Sequence, residues 1–334
     1  MRIALDAMGS DTYPAPDVAG GVLAARAWPD DTICLVGDEK QLQAELAKHD
    51  TAGLKIEIVH AGEVITMEDK PSVVGKAKSN SSMHVGMLLV KNGQADGFVT
   101  AGNTGAALSI ATLFTLRRIP GVKRPALTTI LPLGTANPIL LDVGANADSK
   151  PEWLAQFALM GKLYAQNASK ISDPRVGLLS NGEEEGKGTA LIHEAAALIR
   201  DLPLRFVGNI EPKDVLTGGA DVVVMDGFVG NIFLKTAEAA TRTMAMQLRD
   251  EITRTTITKL GGVLARPAFR RVQKMIDPFE IGGAPLLGVN GVVIIGHGRS
   301  NDRAIKNAIG QARKAVTGNV IESIESGLKT FTLA

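Results

Sequence analysis

The sequence predicts a three-layer α/β/α sandwich built on a mostly parallel sheet. Three observations lead there. Short β-branched or leucine-rich runs alternate with longer stretches of helical period, runs such as Ile139-Leu-Leu-Asp142 and Val222-Val-Val-Met225 are continuously apolar, and several runs end in small glycine-bearing turns. Strands that stay apolar at every position are those that helices cover on both faces, which is the setting of a parallel sheet.

In chain order, strands are expected at 2–6, 32–36, 55–59, 96–100, 138–142, 175–179 and 221–225, with helices in the intervals. Ser149 and Glu152 have capping-box spacing and Pro151 suits a first helical turn, so that stretch is expected to open a helix. A helix is also expected over Thr189 to Arg200. No Pro/Ser linker, charge block or low-complexity tract divides the chain. Residues 1–334 therefore read as one extended α/β/α domain, with a helical basic amphipathic segment at about 246–276.

A chain of 334 residues buries about three quarters of its unfolded surface, and 45% apolar against 21% charged residues fits a cored globular protein rather than a disordered one. The 36 glycines exceed the usual share and point to loops shaped by glycine. With 36 basic and 35 acidic residues the net charge is +1, and aromatics are 4%, so no nucleic-acid partner is expected. Cys34, inside the apolar run Thr32 to Val36, reads as a buried hydrophobe. The first residues carry no signal-peptide core, and no stretch has the 18 or so uninterrupted apolar residues of a spanning helix, so a cytoplasmic protein is expected.

The glycine-bearing turns are Asp6 to Asp11, Thr100 to Gly105, Asp142 to Asn146, Ser180 to Gly188 and Asp226 to Asn231. In a parallel sheet the carboxyl ends of the strands share one rim, so these loops are expected to converge on a single crevice. Glycine lets backbone approach a ligand, and helix N-termini favour anions, so phosphate is the expected ligand. Candidate phosphate or substrate binders in these turns are Asp6, Gly9, Asn103, Thr104, Gly105, Asn146, Gly227 and Gly230. Asn103, Thr104 and Asn231 can donate to phosphate oxygens or a developing oxyanion, or cap the following helix. Lys187 can meet an anion, or act as a solvated lysine balancing Glu183 to Glu185. His297, between Gly296 and Gly298, has room to turn its ring to a ligand; His49, His60, His84 and His193 read as structural.

Familiar motifs fail position by position. Gly186-Lys-Gly188 begins a dinucleotide fingerprint, but Leu191 stands at its third glycine. Gly182-Glu-Glu-Glu-Gly186-Lys187 is one residue short of a P-loop, and Gly188 occupies the Ser/Thr position. H-E-x-x-H, G-x-S-x-G and paired cysteines are missing, so no metal and no cofactor are expected. Between Arg249 and Lys274, seven basic residues face two acidic ones, a net charge of +5. Arg266, Phe269, Arg270, Arg271 and Lys274 belong to this amphipathic stretch, interrupted by Gly261-Gly262 and Pro267. Anionic lipid, a subunit interface and an acidic protein partner all fit it.

At these residues the chain resembles the bacterial phosphate acyltransferases of phospholipid synthesis. The resemblance spans nearly the whole length. It rests on Ile3 to Gly9, Ser81 to Met83, Ala101 to Gly105, Arg124 to Ala126, Leu141 to Asn146, Lys150 to Glu152, Gly182 to Glu185 with Lys187-Gly188, Asp226 to Asn231 with Leu234 to Thr236, and Gly282 to Gly288. Ser10, Thr12, Thr189 and Asn301 depart from the family's usual Gly, His, Asn and Asp. The resemblance implies a fold like the isocitrate dehydrogenase and phosphotransacetylase group, and a homodimer with peripheral membrane attachment through the basic segment. It implies transfer of a long-chain acyl group from acyl carrier protein to inorganic phosphate, ahead of a membrane glycerol-3-phosphate acyltransferase. It marks Lys187 and Asn231 as catalytic. Rival readings are a phosphotransacetylase-like enzyme using acyl-CoA, a metal- and NAD-dependent hydroxyacid dehydrogenase and a non-catalytic phosphate-binding membrane scaffold.

Overall fold

The computed structural model describes residues 1–132 and 137–330. Eleven strands are β1 (Arg2–Asp6), β2 (Thr32–Gly37), β3 (Ile56–His60), β4 (Gly97–Thr100), β5 (Ala126–Ile130), β6 (Ile139–Leu141), β7 (Arg175–Leu179), β8 (Arg205–Ile210), β9 (Val222–Val224), β10 (Ala284–Leu287) and β11 (Val292–Ile295). They form one sheet in the order β3-β2-β1-β4-β11-β10-β5-β6-β9-β7-β8. All seven expected strands are present. The helices are α1 (Ala15–Ala27), α2 (Glu39–Leu46), α3 (Pro71–Ala77), α4 (Ser82–Lys91), α5 (Thr104–Ser109), α6 (Pro151–Asn167), α7 (Ala190–Arg200), α8 (Pro212–Thr217), α9 (Gly227–Ile252), α10 (Thr256–Met275), α11 (Asp302–Thr317) and α12 (Val320–Thr330).

The sheet is mostly parallel, yet not throughout. Two parallel halves, β3-β2-β1-β4-β11 and β6-β9-β7-β8, are joined through three antiparallel pairings: β11 with β10, β10 with β5, and β5 with β6. Three reversals leave the halves running in opposite directions along the ladder. This corrects the expectation of one shared rim, because the strand ends of the two halves leave the ladder at different ends.

Burial explains why these segments are strands. Ile3, Leu5, Ile33 and Leu35 on β1 and β2, and Val222 to Val224 on β9, are fully buried. β-branched and leucine side chains on both faces pack under helices there. Helix α6 lays Phe157, Met160 and Tyr164 into the same core. Its start corrects one expectation: Lys150 is the N-cap, with no side-chain cap, and the Ser149 hydroxyl turns back to the Asn146 carbonyl at 3.4 Å. Pro151 alone supplies the start signal, its ring fitting a first turn that needs no N–H.

Helix α9 leaves β9, and beyond residue 240 it and all of α10 have no buried residue. Thr255 and Thr258 cap α10 reciprocally, and the helix runs on through Gly261-Gly262 and Pro267. The expected interruptions therefore do not break it. The basic segment is a hairpin standing off the body.

Candidate active site

Around Asp142 the chain builds a tight carboxylate cradle. Asp142 follows β6 and is fully buried. Its oxygens accept from the backbone N–H groups of Leu127 (3.1 Å), Gly144 (3.1 Å), Ala145 (2.8 Å) and Asn146 (2.7 Å), and from Asn146 Nδ2 at 2.8 Å. Burial pushes this carboxyl above the ordinary carboxylate range, against the opposing pull of these donors. Asn146 Nδ2 also donates to the Pro125 carbonyl at 2.7 Å, so Asn146 ties the loop together.

Strand β9 lies beside β6, so the start of α9 meets this cradle. Asp226 caps α9, accepting from Phe228 N and Val229 N at 2.9 Å each. Gly227 N donates to the Asn146 carbonyl at 2.8 Å. A Cβ on Gly230 would stand 2.0 Å from the Asp142 carbonyl oxygen, so only glycine allows this approach. One residue on, Asn231 Nδ2 donates to the Val143 carbonyl at 3.3 Å. Asn146, Gly227, Gly230 and Asn231 are thus one cluster.

Strand β7 is the other neighbour of β9, and the loop from Ser180 to Gly188 leaves the same end of the ladder. Lys187 is exposed there. Two of the loop's three glutamates are committed elsewhere: Glu183 pairs with Lys213 at 2.7 Å and Glu185 with Arg200 at 2.5 Å. Among the described residues no carboxylate lies within 4 Å of the Lys187 ammonium, and Lys213 and Arg200 are the ion-pair partners of Glu183 and Glu185. Asn209 Nδ2 and the His193 ring hold the Lys187 carbonyl at 3.2 and 3.0 Å.

The remaining candidates gather in a second cluster, at the ends of β1, β4 and β11. Asp6 is buried and accepts from Thr100 Oγ1 at 2.8 Å and Met8 N at 3.2 Å; burial raises its carboxyl. A Cβ on Gly9 would crowd Asp6 Oδ2 and Gly102 N at 2.9 Å. Asn103 caps α5 through Ala106 N, while its Nδ2 reaches the carbonyls of Thr66, Met67 and Asp69 at 3.1 to 3.3 Å. Thr104 is exposed at the start of α5, and Gly105 packs against Pro71. His297 is half-exposed, with Nε2 3.9 Å from Glu238 Oε1 on α9. That contact bridges toward the first cluster; no hydrogen bond among the described residues joins the two.

On the hairpin, Arg266, Phe269, Arg270, Arg271 and Lys274 are all exposed. Among the described residues no helix is long and apolar enough to cross a membrane, and no group of three His, Cys, Asp or Glu could hold a metal ion. Sequence reasoning missed Asp142 and Asp226 as site builders. The signal for Asp142 was an acid at the end of an all-apolar strand, where a charge is tolerated only with donors to receive it.

A family model described as fatty acid synthesis protein matches residues 1–323. Phosphate acyltransferases from Geobacter sulfurreducens and Acidobacterium capsulatum are 45% and 48% identical to the chain, over 99% and 97% of it and 96% of each relative. The chain belongs to the phosphate acyltransferase family. It is an acyltransferase enzyme. In fold the family member is similar to a phosphotransacetylase from Streptococcus pyogenes, with a TM-score of 0.63 at 20% identity over 96% of this chain and 94% of that one. A branched-chain phosphotransacylase from Enterococcus faecalis gives 0.59 at 16% identity over 95% and 99%.

Proposed function

We propose that the chain moves a long-chain fatty acyl group from the thioester of acyl carrier protein to inorganic phosphate, with Lys187 and Asn231 as catalytic residues. Phosphate attacks the carbonyl carbon, a tetrahedral oxyanion forms, the C–O bond to phosphate is made and the C–S bond breaks. The sulfur leaves as thiol once protonated. Phosphate is already a nucleophile near neutral pH and thiolate a tolerable leaving group, so orientation and charge stabilisation are the protein's tasks.

The observation that carries this reading is the fixing of the Asn231 amide beside the glycine-bounded Asp142 loop. One of its two hydrogens is held by Val143, which sets the amide plane and leaves the second to meet the oxyanion. Lys187, on the adjacent strand's loop and without a carboxylate partner among the described residues, neutralises phosphate or the oxyanion and supplies the proton to sulfur. The second cluster, with Asp6, Gly9, Asn103, Thr104, Gly105 and His297, supports substrate binding in this reading.

The exposed hairpin serves assembly and attachment. Its apolar side chains include Ile257, 84% exposed, and Leu264, 78% exposed, interleaved with the clustered cations. A second copy of the chain and anionic lipid together cover such a face. Attachment to the inner face of the membrane would deliver acyl phosphate to a membrane glycerol-3-phosphate acyltransferase. The test is incubation with long-chain acyl carrier protein and labelled phosphate, with acyl-CoA as the parallel donor. A hydroxylamine-sensitive acyl phosphate formed from the carrier supports the reading; product from acyl-CoA alone replaces the donor, and none from either removes the reaction.

A further inference from the structure

From Gly97 to Leu141 the sequence contains no Asp or Glu, yet it holds four cations within eight residues: Arg117, Arg118, Lys123 and Arg124. All four are exposed. The loop that carries them is tightly pinned. Ile119 and Val122 are buried anchors, and Ile119 N and Asn290 N bond to the carbonyls of Gly288 and Arg117 at 3.0 and 2.9 Å. Gln156, buried on α6, accepts from Lys123 N at 2.8 Å through Oε1 and donates to the Gly121 carbonyl at 3.0 Å through Nε2. The Arg124 guanidinium lies over the Trp153 ring at 4.9 Å.

Pinning and exposure together require an explanation. Clustered like charges repel, and a loop serving only as a connection gains nothing from holding them in one place. Among the described residues no carboxylate pairs with the four within 4 Å; Asp148 and Glu152, in the adjoining loop and helix, make no ion pair with them, and Lys150 adds another exposed cation there. The patch also adjoins the site. Pro125, next to Arg124, accepts from Asn146 Nδ2, and Leu127 N donates to Asp142, so the loop runs straight into the cradle that seats Asn231.

We propose that the pinned cationic loop 117–124 is the docking surface for an acidic face of the protein that carries the acyl thioester. The inference rests on the carrier-bound donor proposed above. Fixed positive charge beside the cradle draws in an acidic carrier and sets its orientation, so that its thioester arm enters near Asn231. Such rim charges act on encounter and on salt dependence rather than on the chemical step.

The test uses the full-length chain and an Arg117→Glu/Lys123→Glu variant, which leaves the Trp153 stack and the Gln156 clamp in place. Both are assayed with acyl carrier protein and acyl-CoA as donors, and titrated with labelled carrier lacking an acyl group. Expected at low salt are about tenfold rises in KM and Kd for the carrier, with kcat and the KM for acyl-CoA unchanged, and a gap that closes as salt is raised. An Arg117→Gln/Lys123→Gln variant should fall between. An unchanged carrier KM and Kd in the reversal variant, or an equal rise for both donors, overturns the docking surface while leaving the reaction intact. If the wild-type chain uses acyl-CoA but neither binds nor turns over the carrier, the donor reading falls and this inference with it.

Discussion

Of the two residues proposed as catalytic, Asn231 has its amide held and Lys187 is exposed. Val143 fixes the Asn231 amide, while the Lys187 side chain meets no carboxylate within 4 Å among the described residues, which in the proposed reaction leaves it to follow charge as it develops. Loss of one well-placed donor typically costs about 3 to 4 kcal/mol in the transition state. Lys187→Ala should therefore lower turnover at least a hundredfold with an unchanged melting transition; near-wild-type turnover would remove Lys187 from the chemistry. Gly230→Ala tests the cradle itself. A Cβ 2.0 Å from the Asp142 carbonyl oxygen forces the helix away, and a loss of roughly 3 kcal/mol in denaturant unfolding is expected. Asp17 gives a pH signature. It is buried, bonded to Ser10 Oγ at 2.5 Å, and burial pushes its carboxyl up to about 7, with Asp6 adding repulsion. The folded state then holds a proton that the unfolded state has released from about pH 4 upward, so stability falls as pH rises through 4 to 7 and levels off above. Asp17→Asn should flatten that fall, gaining up to about 4 kcal/mol over wild type at pH 8 and none at pH 4, read from unfolding curves at the two pH values.

Among the elements, the α9–α10 hairpin makes the firmest prediction. Arg270 and Arg271 are exposed on α10 amid apolar side chains. Each cation near an anionic surface contributes about 1 kcal/mol, so Arg270→Glu/Arg271→Glu should shift the chain out of the floating fraction with anionic vesicles. Flotation equal to wild type would leave a protein partner as the cover for these residues. The hairpin was legible in sequence because its charge differs from the rest of the chain. The central strands were legible because burial on both faces leaves an unbroken apolar run, as in Val222 to Val224. Two of the strands passed over have mixed patterns: β8, Arg-Phe-Val-Gly-Asn-Ile, is an edge strand with a bulge, and β10, Ala-Pro-Leu-Leu, carries a proline at its second position that edge and irregular pairings tolerate. Ser149 misled because a capping box needs a particular backbone turn, and here proline sets that turn alone.

For the whole molecule, the arrangement of loops was the part the sequence could not supply. Each glycine-bearing turn is visible by itself, but strand direction depends on pairing between segments far apart in the chain. Val292 to Ile295 joins one half, whereas Ala284 to Leu287 reverses and splits its pairing between β11 and β5. Nothing local in those residues encodes it. The solvent-facing length of α9 and α10 has a further consequence. Helices in proteins gain most of their stability from a packed face rather than from propensity, and α10 carries two glycines and a proline that weaken it further. In a dilute solution of single chains this arm should fray, and it should wind up again as copies meet. Far-UV ellipticity should deepen with protein concentration in step with the mass seen by light scattering, and a helical signal independent of dilution would mean that the arm stands unaided.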